Sequence, residues 1–369
     1  MSNIYISIRA LRLGLRALAS LRLTLVVLIL LVAGVVGVAF AGLPATWVLA
    51  PSLGLFLVNL TAAIFAHPAF RRQVPLLIFH LALLALVALL VISRLTYLKG
   101  HLELAQGETF RGKLTGFENG LLHPWHLKTI AFRQRQFSIH YDPGRQRGHT
   151  RSHVQWFEGG SLHSGIIGDQ QPLVLAGYRF YTTPNKGFAP VFTWYPANGE
   201  AAHTGSIHLP SYPAHELGQT LKWRLPGTPI KLQTTLSFTD RVLDPQHASR
   251  FQIPKHYRLL IRFHAHRYEL QPGGGIDLPT GRLVFEGLRT WMGYQVFYDW
   301  TMPWLLAACM VAVISLMWHY ACKFAAHPWR EDSDTYLGVR SRGARASVGN
   351  DEINVELLPK HDLGMREVR

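Results

Sequence analysis

The chain has 369 residues, of which 49% are apolar and only 16% charged, and its formal net charge is +15. A charge of this size can serve nucleic-acid binding, but no nucleic-acid motif occurs, and basic flanks facing anionic lipid explain it better. No Asp or Glu precedes Glu103, so the first part of the chain carries basic but no acidic residues. The composition therefore indicates a membrane protein.

Four apolar runs are each long enough to cross a ~30 Å hydrocarbon core as a helix. They are Leu23–Leu43, Trp47–Phe65, Val74–Ser93 and Met302–Cys322. Pro51 and Asn59 interrupt the second run, although a proline near a helix start is tolerated. We therefore predict three transmembrane helices within residues 23–95 and a fourth within residues 300–323.

Lys and Arg residues near the spans predict the orientation of the chain in its membrane. Four arginines lie in the basic N-terminus, residues 1–22, and Arg71 and Arg72 lie between the second and third spans. Both segments are expected in the cytoplasm. Residues 96–299 then lie outside, and the mixed-charge tail 324–369 is expected to be a disordered cytoplasmic segment.

The extracytoplasmic segment 96–299 is predicted to be an all-β, sandwich-like domain. Apolar and polar residues alternate in 128–141 and 256–270, and no stretch has a helical period. Short turn signals punctuate the segment: Asp142-Pro143-Gly144, Glu158-Gly159-Gly160, Pro184-Asn185, Asn198-Gly199 and Pro272 to Gly275. A division between two sheets would fall near residues 196–216.

The two cysteines exclude two redox functions. Cys309 and Cys322 lie ~20 Å apart along the last predicted helix, which is too far for a disulfide. The chain also lacks Cys-x-x-Cys-His, the attachment motif of c-type haem. It therefore neither exchanges disulfides through a cysteine pair nor carries covalent haem.

Fourteen of the nineteen histidines fall in the predicted β domain, but they form no recognisable site. His123 and His126 could supply two metal ligands, and so could His264 and His266, which would share one face of a strand. A zinc site needs three or four ligands, so a histidine-rich soluble surface is the preferred interpretation, and no metal site is predicted. No P-loop, G-x-S-x-G or H-E-x-x-H motif occurs, and no catalytic residue is predicted.

His80 is the polar exception within the third apolar run, RRQVPLLIFHLALLALVALLVISRL (71–95). An ionisable residue at membrane depth is a functional candidate by default. The alternative is a histidine that forms a hydrogen bond with a neighbouring span. The residues alone leave both interpretations open.

Four stretches resemble members of the ResB-like family, the membrane proteins of system II cytochrome c maturation. They are LASLRLTLVVLILLVAGVVGVAF (18–40), PLLIFHLALLALVALLVISRLTYLKGHLELAQGETF (75–110), QPLVLAGYRFYTT (171–183) and GLRTWMGYQVFYDWTMPWL (287–305). Each stretch is short, but their order is specific, and so is the arrangement of three spans, a large β domain and one span. The resemblance covers residues 18–325.

The resemblance implies an accessory subunit of a haem-attachment complex rather than an enzyme on its own. Members of the family work with a multi-span membrane partner that carries a tryptophan-rich haem-binding segment. Together they move haem outward and attach it to Cys-x-x-Cys-His of apocytochrome c. This chain has no comparable tryptophan-rich segment, so no synthase activity is expected from it alone.

The resemblance also implies that the chain holds haem transiently and shares it with the partner. His80 matches a third-span histidine that is implicated in holding haem, and neutral imidazole is a good axial ligand of its iron. His80 lies ~12 Å along the helix from Arg72, and Arg71 and Arg72 would contact the propionates. His319 is a second candidate ligand, although the Trp and Tyr beside it favour an interfacial belt.

Two other functions remain open. One is a non-enzymatic membrane scaffold or sensor with a β-rich outer domain, although the tail is short for a signalling domain. The other is a haem-bearing, quinone-linked redox subunit, with His80 and His319 as its axial pair. Haem that is stable in the isolated chain would favour the redox subunit.

Overall fold

The computed structural model describes residues 14–331 and 334–341, and it divides into two compact units. One unit contains the apolar helices that precede residue 96 and follow residue 299. The other unit, Thr96–Asp299, is built from antiparallel strands and is called the β domain below.

Four helices of the first unit are long and apolar enough to cross a membrane. Together with one short helix, they are α1 (Leu21–Ala41), α2 (Ala45–Ala66), α3 (Pro68–Arg72), α4 (Val74–Thr96) and α5 (Met302–Lys323). At most 28% of the apolar window of any span is buried within the chain, so lipid or a partner must cover the rest. The prediction of three spans before the β domain and one after it is confirmed.

Helices α1 and α2 pack against each other in antiparallel directions. Ser20 caps α1 by accepting a hydrogen bond from Arg22 N at 3.3 Å, and the helix ends at Gly42, whose φ is 64°. At Gly34 a β-carbon would lie 3.0 Å from Val48 Cγ1. A glycine at this position therefore allows the two helices to approach closely.

Asn59, which interrupts the second apolar run, is a polar link between these two helices. Its amide nitrogen donates to Leu18 O at 2.6 Å, and its Oδ1 accepts from Thr24 Oγ1 at 2.8 Å. The residue is only 2% exposed. Both ends of the amide thus have partners, and Asn59 connects α2 to the start of α1 instead of weakening the span.

We expect Asn59→Leu to destabilise the α1–α2 pair by about 1–2 kcal/mol, because two interhelical hydrogen bonds disappear. The stability of the full-length protein would be measured by SDS titration in mixed micelles. Ser52→Ala is the matched control, because Ser52 Oγ donates to Val48 O within its own helix. Equal stabilities of the two variants would contradict the interhelical role of Asn59.

The β domain contains sixteen strands in three antiparallel sheets. The strands are β1 (Leu98–Ala105), β2 (Thr109–Phe110), β3 (Gly116–Asn119), β4 (Phe132–Asp142), β5 (Gln146–Glu158), β6 (Ser161–Gly168), β7 (Leu173–Leu175), β8 (Tyr178–Pro196), β9 (His203–Ser206), β10 (Thr220–Arg224), β11 (Lys231–Phe238), β12 (Ser249–Arg250), β13 (Tyr257–Phe263), β14 (His266–Leu270), β15 (Gly275–Leu278) and β16 (Gly281–Tyr298). Two short 3₁₀ helices, His126–Thr129 and Pro143–Arg145, precede and follow β4.

The three sheets share one apolar core. The first sheet has the strand order β3-β1-β16-β8-β7, with β9 beside β8 and β15 beside β16. The second sheet has the order β12-β4-β5-β6, with β2 beside β4. The third sheet has the order β10-β11-β13-β14. Phe285, Phe132 and Leu259 bring one side chain each from the first, second and third sheet into this core. The predicted all-β architecture is confirmed, and its strands pair antiparallel, but there are three sheets where two were expected. The third sheet begins at Thr220, just after the expected division.

Most turn signals separate strands as predicted, but Pro184-Asn185 does not. It lies inside the nineteen-residue strand β8, where the pairing with β16 shifts register between Met292 and Tyr294. Thr183 Oγ1 donates to Gly293 O at 3.0 Å across this irregularity. A bulge interrupts the ladder of hydrogen bonds, so a proline is tolerated there.

The alternating stretch 256–270 forms two strands rather than one. Strands β13 and β14 meet at a turn of His264 and Ala265, and His264 has a φ of 52°. His264 therefore lies in the turn, and it does not share a strand face with His266 as the sequence had suggested.

Beyond α5, the backbone forms an antiparallel hairpin of β17 (Phe324–Glu331) and β18 (Asp334–Ser341). We expected a disordered tail from residue 324, and the hairpin differs from that expectation. The segments FAAHPWRE and DTYLGVRS contain the aromatic and branched residues of strands, which the mixed charge of the whole tail concealed. Residues 342–369 lie outside the described residues, so the expectation for them is untested.

Candidate functional site

The orientation of His80 is fixed by its own helix. Its Nδ1 lies 2.7 Å from Leu76 O, one turn back along α4. A carbonyl oxygen only accepts hydrogen bonds, so Nδ1 carries the proton, and Nε2 keeps its lone pair when the ring is neutral. Among the side chains that the structure describes, Nε2 has no hydrogen-bond partner. The hydrogen bond of His80 is therefore intrahelical, and the alternative of a bond to a neighbouring span is not found there.

Two phenylalanine rings contact the imidazole of His80. The ring centroid of Phe70, in α3, lies 4.2 Å away, and that of Phe79 lies 5.2 Å away. His80 is half-buried, is held at Nδ1 by a backbone carbonyl and has a free nitrogen at Nε2. A histidine that ligates a metal through Nε2 usually has this arrangement, so the residue fits an axial ligand of haem iron.

The other predicted site residues lie on separate elements. His319 is half-buried in α5, with its ring centroid 5.4 Å from that of Tyr320. Arg71 and Arg72 are the last residues of α3, and the side chain of Arg72 is exposed. No hydrogen bond or ring contact joins His80 to His319 in the described part of the chain.

In the β domain, His208 lies between two carboxylates and an indole. Its Nδ1 is 3.0 Å from Glu103 Oε2, and its Nε2 is 3.8 Å from Glu108 Oε2. The ring stacks on Trp291, with centroids 5.4 Å apart and planes 14° from parallel. Burial alone would lower the pKa of His208, but the two carboxylates raise it to about 9. His208 is therefore charged at neutral pH.

The same ion pair also changes the pKa of Glu108. Burial opposes its ionisation, but the nearby His208 and a hydrogen bond from Ala105 N lower its pKa below the usual value. The cluster ties β1 and the turn after it to the segment 207–209, which runs beside β8. It is a structural ion pair in a domain that has few acidic residues.

His123 is a buried histidine of the β domain, only 5% exposed. Its Nδ1 donates to Thr96 O at 2.8 Å, and its Nε2 accepts from the hydroxyl of Tyr178 at 2.7 Å. Burial lowers the pKa of His123 and raises that of Tyr178 to about 12, so both side chains are neutral at pH 7. The two residues connect the loop before β4 to the end of α4.

A cleft of about 1040 Å³ on the β domain is polar and basic. Arg133, Arg135 and Arg289 line it, and no acidic residue does. Arg133 Nε donates to Gly107 O at 2.8 Å and Arg289 Nη1 donates to Gln106 O at 3.1 Å, which fixes both guanidinium groups. Such a surface suits anionic groups, whereas a haem macrocycle needs apolar walls that this cleft lacks.

No metal centre is found among the described residues, where no three His, Cys, Asp or Glu side chains converge. His123 is used in the hydrogen bonds above, and His126 is exposed. His264 and His266 flank the β13–β14 turn and are exposed as well.

Comparison with known proteins identifies the family of the chain. A family model described as "ResB-like family" matches residues 59–323, which is most of the chain. The chain belongs to the ResB-like family. No curated protein matches it. Among solved structures, it is similar to one described as "Cytochrome c Heme Lyase CcmF", with 14% identity and a TM-score of 0.26, over 81% of this chain and 34% of that chain. The chain thus spans about a third of that protein's length.

One motif of the resemblance has a structural explanation in this ResB-like chain. The stretch 75–110 that resembles the family includes Gly107-Glu108, which lies in the turn between β1 and β2. Gly107 has a φ of 87°, which favours glycine, and its carbonyl accepts the bond from Arg133. Glu108 follows and pairs with His208. The motif therefore shapes a turn that contributes to both the basic cleft and the ion pair of His208.

Sequence reasoning missed His123 and His208, which were interpreted as part of a soluble surface. A signal was present for His208, because Glu103 and Glu108 are the first acidic residues of the chain. Which cation they pair with could not be read from the sequence.

Proposed function

We propose that this chain is a subunit of a cytochrome c maturation complex that carries haem across the membrane and presents it for attachment to apocytochrome c. It acts with a multi-span membrane partner that supplies a tryptophan-rich haem-binding segment. Membership of the ResB-like family and the four apolar helices support this function. In this proposal the β domain is extracytoplasmic, and the α2–α4 connection faces the cytoplasm of a bacterium.

His80 is the residue that we assign to haem, as an axial ligand through Nε2. The observation that carries the assignment is the bond from Nδ1 to Leu76 O, which leaves Nε2 unprotonated in the neutral ring. Only 17% of the apolar window of α4 is buried within the chain, so a partner helix has room to lie beside it. Arg71 and Arg72 are assigned to the propionates, and His319 is kept as a second candidate ligand.

We expect the visible spectrum of the full-length protein to show a Soret band only when the protein is purified with its membrane partner. His80→Ala should lose most of this band, because the iron loses an axial ligand. Added imidazole should restore the band in His80→Ala, since it can occupy the space of the missing side chain. His67→Ala is the matched control, because His67 lies at the end of α2 and has no assigned role.

Three results would overturn parts of the proposal. An unchanged Soret band in His80→Ala would exclude His80 as a ligand and favour the membrane scaffold or sensor. A stable band in the isolated chain that needs both His80 and His319 would favour the quinone-linked redox subunit. Loss of the band in His80→Ala without recovery in imidazole would mean that His80 supports the fold rather than the iron.

A further inference from the structure

Both connections between the β domain and the helices lie at one end of the domain. Leu98 follows the last residue of α4 by two positions, and Tyr298 precedes the first residue of α5 by four. Leu98 and Tyr298 are directly opposite each other in the β1–β16 ladder, and Asn119 of β3 is the other neighbour of Leu98. The chain therefore enters and leaves the β domain at this end.

The 117–125 segment, which begins in β3 at this end, exposes large apolar side chains. Phe117 is 54% exposed, Leu121 61% and Leu122 66%. Trp125 is 38% exposed, and its ring packs edge-on against Phe117 with centroids 5.4 Å apart. Single exposed apolar residues are normal on a protein surface, but four on one short segment indicate a surface that is covered.

Hydrogen bonds hold the 117–125 segment to the end of the third span. Gly120 N donates to Tyr97 O at 2.9 Å, and His123 Nδ1 donates to Thr96 O at 2.8 Å. The hydroxyl of Tyr178 donates to the other ring nitrogen of His123. Thr96 is the last residue of α4, so the segment is hydrogen-bonded to the residues that join the third apolar helix to the β domain.

We infer that the 117–125 segment lies in the membrane–water interface, with Leu122 and Trp125 among the lipid headgroups and upper acyl chains. Tryptophan is enriched at such interfaces, and exposed leucine is stabilised by burial there. The one acidic residue, Glu118, lies opposite Lys99 in the β1–β3 ladder. Lipid is the occupant because the segment is tied to the end of a membrane span.

A fluorescent probe in full-length protein would test this inference. In a chain in which Cys309 and Cys322 are replaced by serine, Leu122→Cys would carry an NBD label in phosphatidylcholine nanodiscs. Leu217→Cys is the matched control, because Leu217 is a fully exposed leucine between β9 and β10. Spin-labelled lipid should quench the probe at position 122 several-fold more than the probe at 217, and its emission should be shifted to the blue.

Equal quenching at the two positions would overturn the inference. Shielding of the probe at position 122 only after addition of the membrane partner would overturn it as well, because a protein would then cover this surface. Both leucines are exposed, so neither substitution removes a core contact. The circular dichroism of the β strands would confirm that both variants are folded.

Discussion

Lys186→Met should stabilise the β domain by about 1–3 kcal/mol near pH 7, although it removes a native charge. Lys186, in β8, is 2% exposed, and its Nζ lies 5.0 Å from the ring centroid of Tyr141 and 5.7 Å from that of Phe251. Its hydrogen bond to Pro184 O is long, at 3.4 Å. Among the described residues no carboxylate pairs with it, so a buried ammonium is left with only partial compensation.

The pH dependence of this effect has a definite sign. Burial, together with the positive charge of Arg147, lowers the pKa of Lys186 from 10.5 to about 8. Between these two values the unfolded chain binds a proton that the folded chain has lost, so the free energy of unfolding rises with pH. Below this window the penalty of the buried charge is complete, and above it the penalty is gone. Methionine cannot titrate, so the free energy of unfolding of the variant does not show this rise with pH. The variant also lacks the cation–π contacts of Lys186, which makes its stability gain over wild type smaller.

Urea denaturation of the full-length protein in detergent, followed by circular dichroism of the β strands, would measure both effects. The stability advantage of Lys186→Met over wild type should be largest near pH 7 and should shrink near pH 10, where Lys186 of the folded wild type is neutral. Lys222→Met is the matched control, because Lys222 is exposed on β10. A Lys186→Met variant that is no more stable than wild type near pH 7 would contradict the prediction.

The sequence predicts the helices and the class of the β domain well because both depend on local patterns. About twenty consecutive apolar residues are enough to indicate a span, and period-two alternation is enough to indicate strands. Asn59 shows the limit of this reasoning within a span. Its polarity was visible as an interruption, but its partners near the start of α1 are 35 to 41 residues away in sequence.

The candidate site was predictable to a similar extent. His80 stands out because a single ionisable residue in an apolar run is conspicuous, and its bond to Leu76 is local. The partners of His208 and His123 were not predictable, because His208 pairs with Glu103 across 105 residues and His123 with Tyr178 across 55. Contacts of this kind are set by the arrangement of the three sheets, which no local pattern specifies.

His208→Gln should destabilise the β domain by about 1–2 kcal/mol near pH 6 and have little effect near pH 10. The folded pKa of about 9 lies above the ordinary value of 6.5. The stabilisation by the ion pair is therefore complete below about pH 6.5 and is lost as the pH rises through about 9. The whole pKa shift of His208 would correspond to a larger loss of stability. However, Glu103 and Glu108 are 36% and 45% exposed, and solvent screens part of their charge.

His247→Gln is the matched control for His208, because His247 Nδ1 also lies 3.0 Å from a carboxylate, that of Asp244, but its side chain is 77% exposed. A surface pair of this kind contributes little to stability, so His247→Gln should match wild type at both pH values. Folding raises the pKa of His208 but lowers that of Lys186, so their contributions to wild-type stability change in opposite directions as the pH rises. The stabilisation by His208 is lost between about pH 6.5 and 9, and the penalty of the buried Lys186 charge is removed between about pH 8 and 10.5. His208→Gln should retain only the rise, and Lys186→Met only the fall. Parallel pH profiles for the two variants would contradict both assignments.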